Sequence, residues 1–320
     1  MHTKKRPKIL VVGSLVMDLI VSAPRFPESG ETVLGTTYTT APGGKGANQA
    51  YQAALLGAEV TMVGCVGKDV FGQELLESLQ AVGVDVSHVR RDENACTAIG
   101  NVQLEQRDET SSNRIIVVPG ANMALCREDI AFLKDEIASY DLLLLQLEIP
   151  ATVNEIVAQY AFAAGVPVML NPAPSAPISP ALLSCVTCLT PNEHEAADLT
   201  GIAVMDESTA LLACERLRRM GIPQVIITRG GEGAVYSAGD TLIHSPCIPC
   251  DTVADPTAAG DSFIGAYCTA RCVGTTAEEA LRFANYAAHI TVSRTGAQPS
   301  LPTMQEVLDL MHSHGESFKK

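Results

Sequence analysis

The sequence predicts an α/β protein, a three-layer, doubly wound and mostly parallel sheet with a small β-sheet lid. Short apolar runs of strand length alternate with amphipathic stretches of helix length along most of the chain. Two segments break that rhythm with β-branched residues, turn signals and little helical periodicity. No stretch reads as a repeat, a low-complexity tract or a linker, so a single domain over 1–320 is expected.

Taken in order, the strand-like runs are 9–12, 60–66, 142–147, 166–170, 185–189 and 224–228. Helical patterns lie between them, notably at 46–56, 73–82, 152–164 and 208–220. Strand, helix and strand in succession imply parallel units with helices on both faces. The last third carries a long helical stretch, 260–272 then 277–292, and a final helix near 303–312. The exceptions are 19–42 and 97–118, which contain Thr32-Val33-Leu34 and Ile115-Ile116-Val117-Val118. They read as strands projecting from the sheet edge, a lid built from about 14–42 and 97–118.

Composition narrows the function. The chain has 320 residues, 47% of them hydrophobic and 18% charged, enough apolar content for a large core. Its net charge of −14 argues against nucleic-acid binding, which needs a cationic face to displace phosphate counterions. One small phosphate ligand remains compatible, because helix N-termini can hold it locally. No apolar run approaches the roughly 20 residues of a membrane span. The basic start, Met1 to Arg6, leads into a strand-like run rather than a signal-peptide core, so a cytoplasmic protein with reduced thiols is expected. Two Cys-x-x-Cys pairs, Cys185/Cys188 and Cys247/Cys250, are roughly 60 residues apart. The first pair sits in 182–190, which reads as one buried strand whose i and i+3 side chains face opposite ways. Core thiols explain it better than a metal.

Chemistry concentrates at strand ends. Ala41-Pro42-Gly43-Gly44-Lys45-Gly46-Ala47-Asn48-Gln49-Ala50 places three glycines, a cation and an amide where a helix begins. Such a loop would let a ligand reach main-chain N–H groups. It is not a Walker A loop, and the single glycine in Gly13-Ser14-Leu15-Val16-Met17-Asp18 is no dinucleotide fingerprint. Asp255-Pro256-Thr257-Ala258-Ala259-Gly260-Asp261 presents bare amides at a helix start, with Asp261 in the first turn. An anion hole beside a carboxylate is what phosphoryl transfer to an alcohol requires. Thr190-Pro191-Asn192-Glu193-His194-Glu195 follows a strand and opens a helix. Asn192 and Glu195 suit hydrated Mg²⁺; they equally suit a capping box. Gln146-Leu147-Glu148 and Thr228-Arg229-Gly230-Gly231-Glu232-Gly233 also end strands, the second readable as a simple hairpin turn.

In this order, these segments resemble the ribokinase-like (PfkB) carbohydrate kinases over about 9–302. Leu170-Asn171-Pro172-Ala173-Pro174 and Gly296-Ala297-Gln298-Pro299-Ser300 also match the family. The resemblance implies Asp261 as catalytic base, with Ala258, Ala259 and Gly260 as anion hole. It implies sugar contacts from Asp18, Gly44, Lys45, Gly46, Ala47, Asn48, Glu148 and Asp261. Asn192, Thr228, Gly230, Gly233, Gly260 and Asn285 would line ATP, and Glu195 would organise Mg²⁺ through water. A K⁺ ion would lie among Asp255, Thr257, Thr291, Arg294, Gly296 and Ser300, whose oxygens suit a hard cation. The family also implies a homodimer paired through the β lid. Three positions depart from its pattern: Val16 stands where an Asn is usual in bacterial members, Pro256 for Thr and Ala258 for Gly.

The expected activity is ATP-dependent phosphorylation of the primary hydroxyl of a sugar, D-ribose to D-ribose 5-phosphate. The alternatives are a nucleoside or ketose kinase of the same family and a non-catalytic sugar or nucleotide sensor. A dehydrogenase is disfavoured by the missing fingerprint. The partners expected are the sugar and ATP, with no nucleic acid and no membrane.

Overall fold

A computed structural model describes residues 6–106, 111–250 and 252–318. The basic residues at 1–5, the stretch 107–110 within the second lid segment and the final two lysines lie outside the described residues. In chain order the strands are β1 (Lys8–Val12), β2 (Val16–Ala23), β3 (Thr37–Gly43), β4 (Glu59–Gly67), β5 (Asp85–Asp92), β6 (Ala98–Gln106), β7 (Ser111–Val118), β8 (Leu142–Leu145), β9 (Val168–Leu170), β10 (Cys188–Leu189), β11 (Gln224–Thr228), β12 (Ala234–Ala238) and β13 (Thr241–Ser245).

Among the described residues, nine strands form one sheet in the order β13-β12-β11-β10-β9-β8-β1-β4-β5. Pairing from β11 through to β5 is parallel, and only the β11–β12–β13 end is antiparallel. The strand order reverses direction beside β1, the switch point where doubly wound folds open a crevice. Alternate residues of β1 feed two separate cores. Ile9 and Val11 pack with the helices Lys45–Leu55, Val70–Ala81, Ala259–Cys272 and Ala277–Val292. Leu10 and Val12 pack with Ala151–Ala163 and Glu207–Arg219 on the other face. The three layers are the direct result of strands that are apolar on both sides.

The second sheet has the order β3-β2-β6-β7. Its strands arise from the two segments that lacked helical periodicity. β2 runs antiparallel to β3 and parallel to β6, and β6 runs antiparallel to β7.

One sequence reading is corrected here. The stretch 182–190 is not one strand. Ser179 caps a short helix, Pro180–Leu183, by accepting from the Leu182 amide at 3.1 Å, and only Cys188–Leu189 is extended. Cys185 and Cys188 nonetheless pack into opposite layers, and burial pushes the Cys188 thiol up to about 12. The charged edge strand β5 carries too few apolar residues for periodicity to find, and the short buried β12 with its partner β13 lies outside the strand-like runs read above. The turn at 228–233 joins β11 to β12 and so is a hairpin turn.

The helices Lys45–Leu55 and Ala259–Cys272 cross closely, and both open at the site. Gly265 permits the approach: a Cβ there would lie 2.9 Å from Gln52 Cβ and 3.0 Å from the Gln49 carbonyl. Alanine in a helix interior gains roughly 0.5–1 kcal/mol over glycine. Overpacking costs about 1–3 kcal/mol. Gly265→Ala is therefore expected to lower stability by about 1 kcal/mol, read as a lower urea midpoint. An unchanged or higher midpoint would show that the two helices can separate without loss.

Candidate active site

The carboxyl ends of β1, β8, β9, β10 and β11 deliver their following residues to one edge of the large sheet. A cavity of about 180 Å³ opens there, lined among others by Lys45, Asn192, Glu195, Thr228, Gly260 and Asp261. The site is assembled from distant parts of the chain, as the crevice rule for such sheets requires.

Asp261 sits in the first turn of the Ala259–Cys272 helix and is 7% exposed. Its two oxygens accept from Asn48 Nδ2 and Gln49 Nε2, each at 2.9 Å. Burial raises its pKa, while the Lys45 ammonium and the two amides pull in the opposite direction. Ala258 occupies the N-cap position with no side-chain cap. The Ala259 amide turns back to the Pro256 carbonyl at 3.1 Å. Gly260 faces open space, with nothing within 4 Å of where a Cβ would stand.

The glycine loop behaves differently from the expectation that its amides are open to a ligand. The Lys45 amide donates to Glu148 Oε2 at 3.1 Å, Gly46 to Ser14 Oγ at 3.2 Å and Ala47 to the Ser14 carbonyl at 2.9 Å. The helix mouth is already filled by the β1–β2 turn and Glu148, so Gly46 and Ala47 face that turn. Gly46 has no room for a side chain, since a Cβ would lie 2.6 Å from the Ser14 nitrogen. Gly44, with φ 92°, lets the chain enter the helix against Val16. What the loop offers a ligand is the side chains of Lys45 and Asn48. Burial would lower the Lys45 pKa, but Asp261, Glu148 and Glu195 around it leave it above its ordinary value.

Asp18 lies on β2, directly opposite Gly100 of β6, and its carboxylate occupies space that side chains at Gly43 and Gly100 would fill. Burial, then the charges of Glu148 and Asp255, push it up to about 6. Glu148 also accepts a short hydrogen bond from Ser14 Oγ.

At the other end of the cavity, Asn192 and Glu195 do form a capping box for the helix Glu193–Thr200. Asn192 Oδ1 accepts from the Glu195 amide at 2.8 Å, and Glu195 Oε2 accepts from the Asn192 amide at 2.9 Å. Both side chains still line the cavity beside Thr228. The Glu195 carboxyl is raised by burial, against the Asn192 amide and Lys45. Gly230 and Gly233 shape the β11–β12 turn, with φ of 46° and 86°. Asn285 spends its amide on Ser245 Oγ at 2.8 Å and the Pro246 carbonyl at 3.0 Å, fixing the end of β13 to the Ala277–Val292 helix.

Asp255 ties its own loop to the 291–300 stretch. It accepts from the Thr257 amide at 2.9 Å and the Gly296 amide at 3.0 Å. Thr291 and Ser300 are buried and spend their hydroxyl protons within the protein, Thr291 on Ser262 and Ala287, Ser300 on the Ala297 carbonyl. The Arg294 guanidinium is drawn to Glu306 instead, so its carbonyl is what it can offer a cation.

Sequence reasoning passed over four residues that hold the others in place: Ser14, Gln49, Gln146 and Asn171. All four lie inside motifs quoted above. Spacing alone cannot show that Gln49 turns inward to Asp261, because its partners lie 212 and 122 residues away.

A doubly wound sheet with a second small sheet, a lysine ringed by carboxylates and an open helix mouth define a small-molecule kinase. The chain belongs to the pfkB family of carbohydrate kinases, whose model matches residues 6–304. A ribokinase of Haemophilus influenzae is 39% identical over 308 residues, covering 96% of this chain and 99% of that protein. A Bacillus subtilis ribokinase is 40% identical, with 95% and 99% covered. The structure of an Arabidopsis thaliana ribokinase complexed with ribose and ATP superposes with a TM-score of 0.88 at 36% identity, covering 96% of this chain and 99% of that one.

The raised Asp18 pKa has a stability consequence. The folded state keeps the Asp18 proton up to about pH 6, the unfolded chain only to about 3.8. Stability is therefore lost as pH rises through that window and the charge becomes buried. Asp18→Asn is expected to stabilise the protein at pH 7.5 by about 1–3 kcal/mol, with the gap closing at pH 4. Urea melts of both proteins at the two pH values check this; an equal gap at both would contradict it.

Proposed function

We propose that this protein is an ATP-dependent ribokinase, transferring the γ-phosphoryl group of ATP to the primary hydroxyl of D-ribose to give D-ribose 5-phosphate and ADP. The observation that carries the reading is Asp261, buried at a helix mouth, hydrogen-bonded through both oxygens and facing a lysine across a polar cavity. Asp261 accepts the hydroxyl proton as the new O–P bond forms and the bond to ADP breaks. A carboxylate suffices, because the loose transition state does not need prior deprotonation. Lys45 and the helix mouth at Ala258, Ala259 and Gly260 offset the charge on the migrating group. Asp18, Asn48 and Glu148 receive the sugar hydroxyls; Asn48 Oδ1 is buried without a partner among the described residues, an acceptor a hydroxyl would satisfy. Gly44, Gly46 and Ala47 shape that subsite, while Asn192, Thr228, Gly230, Gly233 and Asn285 lie on the nucleotide side.

Mg²⁺ and K⁺ belong to the same proposal, and the residues fit them. Glu195 faces the cavity with oxygen donors only and keeps acceptor capacity beyond its capping bonds. Mg²⁺ there would neutralise phosphate charge. Asp255, with the oxygens of Thr257, Thr291, Arg294, Gly296 and Ser300, makes a hard-donor set for K⁺, which would add positive charge near the helix mouth.

The whole chain acts as one kinase domain, with about 14–42 and 97–118 closing over the sugar to exclude water. The exposed run Ile115 to Val118, about half exposed at each residue, supports a homodimer through this sheet. The compartment is the cytoplasm, a reading the ten free thiols support, and neither nucleic acid nor membrane is a partner. A nucleoside substrate is disfavoured because Phe26, an aromatic of the lid, already has the Arg114 guanidinium over its ring at 4.2 Å. An intact Asp261 disfavours a mere sensor.

An ADP-release assay over ribose, deoxyribose, fructose and adenosine tests the reading, and turnover stimulated by ribose above the rest is expected. Asp261→Ala should lose at least about 10²-fold in kcat with ATP affinity little changed; near-native turnover would remove Asp261 from its role. Replacing K⁺ by a bulky organic cation should slow the wild type, and equal rates would remove the cation from the mechanism.

A further inference from the structure

Gln49 is fully buried, one turn into the Lys45–Leu55 helix, and does not line the cavity. Every polar atom of its side chain is nevertheless committed. Nε2 donates to Asp261 Oδ1 at 2.9 Å and to Asn171 Oδ1 at 3.2 Å, while Oε1 accepts from Gln146 Nε2 at 2.6 Å. Asn171 is itself oriented by donating to the Thr190 carbonyl at 3.1 Å, and Asn154 Nδ2 holds the main-chain carbonyl of Gln146 at 2.7 Å. The amide can adopt one orientation only. Turning it over would set its oxygen against two acceptors and its nitrogen against a donor.

We propose that Gln49 is the positioning residue of Asp261: braced by Gln146 just after β8 and Asn171 just after β9, its amide fixes one carboxylate oxygen while Asn48 fixes the other. The proposal rests on the reading of Asp261 as base. The clamp does two things that a buried base needs. It stabilises the charged form inside the protein, since hydrogen bonds to an ionised acceptor are the strong ones. It also removes rotation about the Asp261 side chain, so the face not bonded to the amides stays turned to the acceptor alcohol. Asn48 alone stabilises the charge only in part, and a single donor leaves the carboxylate free to pivot. Gln49 acts through Asp261 rather than on the substrate. The charged groups facing Asp261 are Lys45 from the same helix, Glu148 beyond β8 and Glu195 of the Glu193–Thr200 helix. None changes when Gln49 does, so a comparison of variants isolates the amide.

The test is direct titration of the Asp261 carboxyl by ¹³C NMR in aspartate-labelled protein, assigned with Asp261→Asn, in wild type and Gln49→Met. Methionine keeps the side-chain length and removes the donor. A midpoint raised by about one pH unit is expected, equivalent to a tenfold shift in ionisation. The acid limb of the kcat profile should move with it while the sugar KM changes little; a loss of packing would instead depress kcat equally at all pH values. An unmoved carboxyl midpoint in folded Gln49→Met overturns the proposal. Where Gln49→Met does not fold, Gln146→Met takes its place, removing the brace and leaving the Gln49 donor; a smaller upward shift supports the clamp and no shift overturns it. A moved midpoint with an unmoved kcat profile would keep the clamp and remove Asp261 from the role of base, so the two failures are distinct.

Discussion

A carboxyl group buried in the first turn of a helix is the constraint that organises this site. Burying an ionised group without partners costs several kcal/mol even after relaxation. At Asp261 that penalty is offset by two amide donors at 2.9 Å and by a lysine held close by. Hydrogen bonds to charged groups contribute roughly 1.5–3 kcal/mol each, so the two amides recover part of the penalty while burial still holds the Asp261 pKa above its ordinary value. Neither donor is near Asp261 in sequence. The close crossing of the Lys45–Leu55 and Ala259–Cys272 helices brings them there, which is why Gly265 matters to chemistry as well as packing.

Lys45 needs the same explanation in reverse. It is partly buried, and three carboxylates keep it protonated. One of them, Glu148, also caps the helix that carries Lys45, through the Lys45 amide at 3.1 Å and through Ser14. The same carboxylate thus secures the start of the helix and the charge state of its first side chain. Helix capping and site electrostatics are one arrangement here, and neither could be altered alone.

Much of this was legible in the sequence, and the limits have physical causes. The parallel core was visible because β1, β4, β8 and β11 are apolar on both faces. The motifs at 43–48, 190–195 and 255–261 were visible because turn and helix-start residues are locally encoded. The edge strand β5 was hidden, since an edge tolerates charge, and so was the short helix at Pro180–Leu183 inside an apolar run. The glycine loop was misjudged for a related reason. Bare amides in sequence are free only if nothing else packs on them, and here the β1–β2 turn does. Gln49 was in plain view within a quoted motif, but its role depends on partners more than 90 residues distant.

The charge pattern around the sugar subsite carries one more consequence for the ribokinase reading. Asp18, Glu148 and Asp255 are near enough for the latter two to raise the pKa of the first. Such a cluster favours a neutral ligand rich in hydroxyl donors, because each donor relieves repulsion among the acids. A sugar phosphate carries about two negative charges at neutral pH. On the proposed reading, the same acids that favour the neutral substrate disfavour the charged product, so the field of the site discriminates between the two. That bias depends on keeping the acids half-buried, which is what the small sheet does when it sets Asp18 against Gly43 and Gly100.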